Sequence, residues 1–214
     1  MSKQPRLITK FGDVFYAFEK PEGMASHQNS EETLDLVRWI KKQKSLPHTL
    51  RPAHRLDLGT SGIVLCGAGR KARAQISAWI QDDATKEYMV LVAGAPENDE
   101  GKFTTPLFDR NKKKTQPCET IFRVQERLNG FTLIEVELVT GRKHQIRRHL
   151  AAAGMPVVGD KRYGPKKPKR VPGFPNRLWL HAWRLTIPGK VIVSPLPEEL
   201  QAHLKLLSAK PSDS

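Results

Sequence analysis

Residues 119–141, ETIFRVQERLNGFTLIEVELVTG, narrow the fold more than any other stretch, because they set two β-rich runs on either side of Asn129-Gly130. Asn-Gly tolerates the positive φ that a tight hairpin turn needs, so the two runs are expected to pair antiparallel. In the second run Thr132, Ile134, Val136 and Leu138 share one face while Glu135 and Glu137 take the other, the period of a half-buried strand. A second hairpin is expected near the C-terminus, where RLWLHAWRLTI, the turn PGK and VIVSP follow one another.

The remaining elements surround these hairpins. FGDVFYAFE (11–19) reads as a strand ended by the turn KPEG. A helix is expected to follow, with Ser30 as N-cap, Glu31 and Glu32 at the positive end of its dipole, and Leu36, Val37 and Ile40 at helical spacing. GIVLCG (62–67) is a short apolar strand, and RKARAQISAWIQ places Ala72, Ile76, Trp79 and Ile80 on one helical face. EYMVLVAG (87–94) returns as a strand. The polar segment 97–117 is read as an excursion from the core whose tip reaches a ligand. RKHQIRRHLAAAG predicts a short helix with Ile146, Leu150 and Ala153 inward and Gly154 as its stop. The prolines and glycine of KRYGPKKPKR (161–170) forbid regular structure, and Pro197 opens a last helix with Leu200, Leu204 and Leu207 on one side. No repeat and no Gly-, Ser- or Pro-rich linker divides the chain. One mixed domain of helices and strands over residues 1–207, with a frayed tail at 208–214, is the expected organisation.

Charge bears on what such a domain meets. The net charge is +14, and residues 101–170 alone carry 17 Lys and Arg against 6 Asp and Glu. A positive field so concentrated suits a polyanion, since each phosphate neutralised releases condensed counterions. The N-terminal residues lack the apolar run of a signal peptide, and no stretch has the apolar length of a membrane helix, so a cytoplasmic protein is expected. Cys66 and Cys118 are too few for a disulfide framework or a zinc cage and are expected to be buried thiols. Neither the seven histidines nor His144 and His149, five apart, make a zinc signature, so no metal is expected.

Within this basic chain HRLDLGTSG (54–62) isolates one carboxylate, Asp57, ahead of two glycines that let the backbone turn sharply. Such a loop can present a carboxylate at the mouth of a cleft; the plainer reading is an aspartate answering local backbone donors. A phosphate-binding P-loop is excluded, because its Lys and glycine spacing are missing. TGRKHQIRRH brings Arg142, Lys143, Arg147 and Arg148 together, either as a solvated basic face or as a phosphate clamp. One of these arginines turned inward would pair with a cleft carboxylate and keep it ionised, as a nucleophile must be. Tyr88 is either packed in its strand or stacked on a displaced base.

KPEG, RPAHRLDLGTSGIVL, KEYMVLVAG, TGRKHQIRRHLAAAGMPVVGDKRYG and LHAWRL occur in the order seen in pseudouridine synthases of the RluA type, and from about residue 13 to 188 the chain resembles that family. The resemblance implies an α+β domain with a mainly antiparallel central sheet flanked by helices and loops, here a catalytic domain with no S4-like extension before KPEG. It implies isomerisation of a uridine in ribosomal or transfer RNA with no cofactor, and a catalytic domain of this size can work as a monomer. Asp57 matches the catalytic aspartate, Arg147 the arginine that pairs with it, and Tyr88 the tyrosine that packs on the target base. Arg55 matches a residue that fills the space left by a flipped nucleotide. RNA contacts are further expected at His54, Arg142, Lys143, Lys166, Lys167, Lys169 and Arg170, and Leu185 is expected to line the base pocket. Two other readings compete. A noncatalytic RNA-binding or chaperone protein would have no use for a paired carboxylate facing phosphates, and a nuclease or glycosidase-like hydrolase would want a second acid or a metal cluster.

Overall fold

The computed structural model of the chain describes residues 4–27, 35–167 and 170–209. They fall into two compact units, one made of residues up to Glu87 together with His181–Ser194, the other of Tyr88–Leu180 together with residues from Pro195 onward.

In the first unit, β1 (Arg6–Phe11) and β2 (Phe15–Lys20) form an antiparallel hairpin where the sequence suggests one strand over 11–19. Gly12 is the reason: at φ +51° it takes the left-handed conformation and reverses the chain between two runs that read as continuous. Helix α1 (Leu36–Lys42) is capped by Asp35, whose Oδ1 accepts the Arg38 N–H at 2.8 Å. The expected cap Ser30 and the acidic Glu31 and Glu32 lie outside the described residues. β3 (Leu50–Pro52), β4 (Ser61–Ala68) and α2 (Gly69–Ala78) follow, and a π-helical turn at Trp79–Asp83 ends this part of the chain. β4 lies between β2, to which it is antiparallel, and β11 (Leu180–Ile187), to which it is parallel; β12 (Lys190–Val193) makes the expected hairpin with β11. Ile63 and Leu65 of β4, Ile76 of α2 and Ile187 and Ile192 form the apolar core, with Trp79 and Ile80 packed against it.

The second unit receives the chain along β5 (Thr85–Ala93). Its sheet runs in the order β5, β10 (Phe131–Leu138), β9 (Thr120–Leu128) and β6 (Glu100–Phe103), while β7 (Leu107–Asp109) and β8 (Lys114–Gln116) make a separate two-stranded ribbon. The β9–β10 hairpin turns at Asn129-Gly130 as expected, with Gly130 at φ +77°. Two expectations are corrected here. The segment 97–117 is no simple excursion, because β6 pairs with β9 and Phe103 stacks on Phe122 at 5.3 Å. Nor is β10 half-buried throughout: Phe131 and Leu133 are buried as well as Thr132 and Ile134, because Trp179 and Leu200 cover the strand's other face. Helix α3 (Gln145–Ala152) buries Ile146 and Leu150 and stops before Gly154 at φ +75°, while Ala153 is exposed rather than inward. Helix α4 (Glu198–Ser208) buries Leu200, and its Glu199 takes the Arg177 guanidinium at 3.0 Å. Both Cys66 and Cys118 are buried. Each unit mixes helices with mainly antiparallel strands, the α+β class. No helix among the described residues is long and apolar enough to cross a membrane.

One glycine is forced by packing as well as by torsion. Gly62, the second residue of β4, sits at φ +116° directly beside Ala182 of β11, where a Cβ would strike the Ala182 carbonyl. Backbone stands on both sides of this contact, so no side chain can yield. Gly62→Ala is expected to cost about 2 kcal/mol or more, read as a lowered urea midpoint at unchanged m-value.

Candidate active site

Asp57 lies in the loop between β3 and β4, and three sets of bonds hold that loop. The first is a ladder finished by a side chain. The Ala53 N–H donates to the Leu65 carbonyl at 2.9 Å, and the next strand donor, the Leu65 N–H, goes to Nε2 of His54 at 2.9 Å. His54 thus replaces a backbone carbonyl, which satisfies β4 and releases the main chain to veer toward Asp57. The second set comes from the KPEG turn and the residues after it. Ser26 accepts the Leu56 N–H at 3.0 Å and donates to the Leu56 carbonyl at 3.2 Å, and the Gly23 N–H donates to the Leu58 carbonyl at 2.8 Å. Lys20, fully buried, closes that turn from inside, its Nζ donating to the carbonyls of Pro21 at 2.9 Å and Met24 at 2.8 Å. The third set tightens the loop and its exit. The Thr60 N–H donates to the Asp57 carbonyl at 3.1 Å, and the Ser61 hydroxyl donates to Nδ1 of His181 at 2.8 Å. The opposite nitrogen of His181 donates to the Ser194 carbonyl at 2.9 Å, which assigns its tautomer. Asp57 is half-buried between these anchors, and Arg55 on the same loop is exposed.

An acceptor role requires His54 to be neutral. Burial, His27 and Lys86 together lower its pKa to about 4, so that it stays neutral throughout the physiological range.

In the second unit Tyr88 stands buried on β5. The TGRKHQIRRH segment begins with a turn organised by Gln145, which is 2% exposed. Its Oε1 accepts from the Thr140 hydroxyl at 2.8 Å and the Arg142 N–H at 3.0 Å, while Nε2 donates to the Glu119 carbonyl at 2.8 Å. His144 enters the helix in the left-handed conformation at φ +55°, with Nδ1 2.9 Å from the Tyr163 hydroxyl. Arg147 makes a bidentate pair with Asp160, Nε to Oδ2 at 2.7 Å and the second nitrogen to Oδ1 at 2.8 Å, and lies over the Tyr163 ring at 5.2 Å. Asp160 also accepts the N–H groups of Arg162 and Tyr163 at 2.9 and 3.0 Å. Burial works against that carboxylate, but the bonds from Arg147 and the two backbone donors outweigh it and hold its pKa below the usual range. A planar fork fixed on both prongs has one orientation, so Asp160 sets where the Arg147 guanidinium lies.

The other expected residues are placed as follows. Arg142 is half-buried, donating from Nε to the Pro117 carbonyl at 3.3 Å, and Lys143 is exposed. Lys166, Lys167 and Arg170 are exposed on the irregular loop, and Lys169 lies outside the described residues. Leu185 is 4% exposed inside the apolar core of the first unit, beside Ile63, Leu65 and Ile192. Lys20, Ser26, Gln145 and Asp160 escaped the sequence reading. Asp160 left a signal, as the one acid in the stretch VVGDKRYG; the other three act through backbone groups that no motif reveals. Among the described residues, no three His, Cys, Asp or Glu side chains gather where they could hold a metal ion.

The neutral His54 makes the loop acid-sensitive. A base whose pKa is depressed on folding contributes stability that is complete above its unfolded value of 6.5 and lost as pH falls toward about 4. Between pH 7.5 and 5 the expected loss is about 2 kcal/mol. Urea unfolding of wild type and His54→Gln at both pH values checks this: the variant should lose less stability than wild type over that interval.

Comparison with known proteins bears on the same segments. The sequence pattern described as RNA pseudouridylate synthase matches residues 14–152. The chain is 33% identical over 190 residues to the dual-specificity RNA pseudouridine synthase RluA of Pasteurella multocida, covering 83% of this chain and 84% of that protein. It is 32% identical over 217 residues to the ribosomal large subunit pseudouridine synthase C of Escherichia coli K12, covering 91% and 68%. Among solved structures, human RNA pseudouridylate synthase domain containing 4 superposes with a TM-score of 0.79 at 21% identity, over 94% of this chain and 92% of that one. On these matches the chain belongs to the RNA pseudouridylate synthase family, a family of isomerases.

Proposed function

We propose that this enzyme converts a uridine of ribosomal or transfer RNA into pseudouridine, with Asp57 as its nucleophile. The observation that carries the reading is the anchoring of the Asp57 loop: His54, Ser26 and Gly23 fix the backbone on both sides of a carboxylate that sits within the segment shared with the family. A turn aspartate serving only its own loop would need no such support. Asp57 forms a covalent bond to the nucleotide, at C1′ of the ribose or at C6 of the base. The bond from N1 to C1′ breaks, the uracil turns, C5 joins C1′, the bond to Asp57 is released to regenerate the carboxylate, and the proton lost from C5 is matched by the one gained at N1. Atoms balance with no outside reactant.

Arg147 takes the role that the family resemblance gives it, the arginine that serves the catalytic aspartate. Its bidentate pair with Asp160 supports that role by holding the guanidinium still. Tyr88 packs on the target base and assists removal of the C5 proton. Arg55, exposed beside Asp57, takes the space that the flipped nucleotide vacates. Flipping costs a few kcal/mol, which phosphate contacts from the basic stretch 101–170, Arg142 and Lys143 included, offset.

Asp57→Asn is expected to abolish pseudouridine formation and leave RNA affinity within about threefold of wild type. Mapping pseudouridine across cellular RNA, with the gene deleted and then restored as wild type or as Asp57→Asn, names the target uridine and tests the nucleophile together. A site restored equally by both would refute the mechanism. Replacing Lys166, Lys167, Lys169 and Arg170 with Ala is expected to weaken RNA binding and flatten its salt dependence, by about 0.7 in log–log slope for each phosphate of a single strand that is no longer neutralised. An unchanged slope would show that this loop does not touch RNA.

A further inference from the structure

The second unit carries a pocket that neither the fold nor the isomerisation explains. The β7–β8 ribbon and the loop leading into α3 bound a cavity of about 350 Å³, lined by Phe108, Arg110, Arg142, Lys143, Arg148 and Arg162. Five cations meet there, against the single carboxylate of Asp109. That carboxylate is occupied within its own turn: Oδ1 accepts the N–H groups of Asn111 and Lys112 at 2.9 and 3.3 Å, and Oδ2 accepts from Gln116 Nε2 at 2.9 Å. Those bonds hold the carboxylate in place and its charge offsets one cation of the five, so the pocket lining keeps an excess of positive charge.

Two of the cations are held in place without being neutralised. Arg148 donates to the Phe108 carbonyl at 3.2 Å, and Arg142 donates to the Pro117 carbonyl at 3.3 Å. A guanidinium bonded to a neutral carbonyl keeps its full charge and its remaining donors, and it loses little further freedom when an anion arrives. Phe108 is 50% exposed, whereas its neighbour Leu107 is 8% exposed and supplies the packing for this strand. An aromatic face left in solvent beside fixed guanidiniums has the composition of a stacking platform for single-stranded nucleic acid. The cavity lies at the small end of ligand pockets, wide enough for one nucleotide and too small for a duplex.

We propose that this pocket binds one nucleotide of the RNA substrate other than the isomerised uridine, its phosphate among Arg142, Arg148 and Arg162 and its base against Phe108, and that it helps select the RNA. The assignment rests on the reading of the chain as an RNA uridine isomerase. It gives the tip of the 107–116 ribbon a task in substrate choice, distinct from the chemistry assigned to Asp57.

The test uses the full chain as wild type, Phe108→Ala, Phe108→Trp and the double variant Arg148→Gln/Arg162→Gln. Pseudouridine formation is followed on in vitro transcribed bacterial large-subunit rRNA and tRNA, and binding is followed with a fluorescent single-stranded oligoribonucleotide across a salt series. Phe108→Ala should lower kcat/KM by about 5- to 100-fold, chiefly through KM, while Phe108→Trp stays within about threefold of wild type. The double variant should reduce the salt slope by about 0.7, the share of the one phosphate the pocket holds. Because Phe108 is exposed, its variants should keep the wild-type unfolding midpoint. An active wild type whose Phe108→Ala and double variants match it in kcat/KM and salt slope overturns the proposal. A wild type that forms no pseudouridine on any RNA refutes the isomerase reading instead, and the oligonucleotide then decides the pocket, since equal affinity of wild type and Phe108→Ala overturns it. Inorganic phosphate displacing the oligonucleotide at micromolar concentration would identify a free-anion site and overturn the nucleotide assignment.

Discussion

The close parallel approach of β4 and β11 at Gly62 and Ala182 is the contact on which the Asp57 loop depends. Only a residue without a Cβ lets the two backbones meet there, and that meeting brings Ser61 within reach of His181. His181 then ties the loop's exit to Ser194, in a fully buried position. Working back along the chain, His54 completes the β4 ladder with its ring, and the KPEG turn, closed by buried Lys20, supplies the remaining anchors. A carboxylate that attacks carbon, the role proposed for Asp57, gains from such support. Fixing the nucleophile beforehand removes an ordering cost that would otherwise be met in each turnover.

Arg147 and Asp160 apply the same principle in the second unit. A charge pair that is 11% and 0% exposed is a weak source of net stability, because removing two ions from water costs nearly what their attraction returns. Its worth is geometric. The fork of Arg147 is gripped by Asp160, Asp160 is gripped by two backbone N–H groups, and the Tyr163 ring lies against the guanidinium. The bidentate pair thus positions an arginine more firmly than a lone surface ion pair would.

Much of the architecture was legible from residues alone. The Asn129-Gly130 hairpin, the PGK hairpin, α2 and α4 all follow from local pattern, because turn chemistry and hydrophobic period act over a few neighbours. Where the reading failed, a distant partner was responsible or a turn was hidden inside a continuous pattern. Phe131 and Leu133 are buried through Trp179 and α4, far along the chain, and β6 joins the sheet by pairing with β9. Gly12 splits an apparent single strand into a hairpin, and Ala153, in phase with the helix's apolar face, falls beyond its last turn.

By itself, the sequence determined the chemistry's vocabulary. It isolated one aspartate after HRL, gathered the basic residues between 101 and 170, and arranged five motifs in an order that identified the family. These are properties of residue type and spacing, and they survive without coordinates. Only the tertiary structure decided which polar groups support that vocabulary: His54 as an acceptor for the Leu65 N–H, Ser26 on Leu56, Gln145 in the turn before α3 and Asp160 beneath Arg147. Each of those bonds either spans a chain separation that no local pattern encodes or involves a backbone group that is identical at nearly every position. Their partners are set by how strands and loops pack, and that is where the sequence becomes silent.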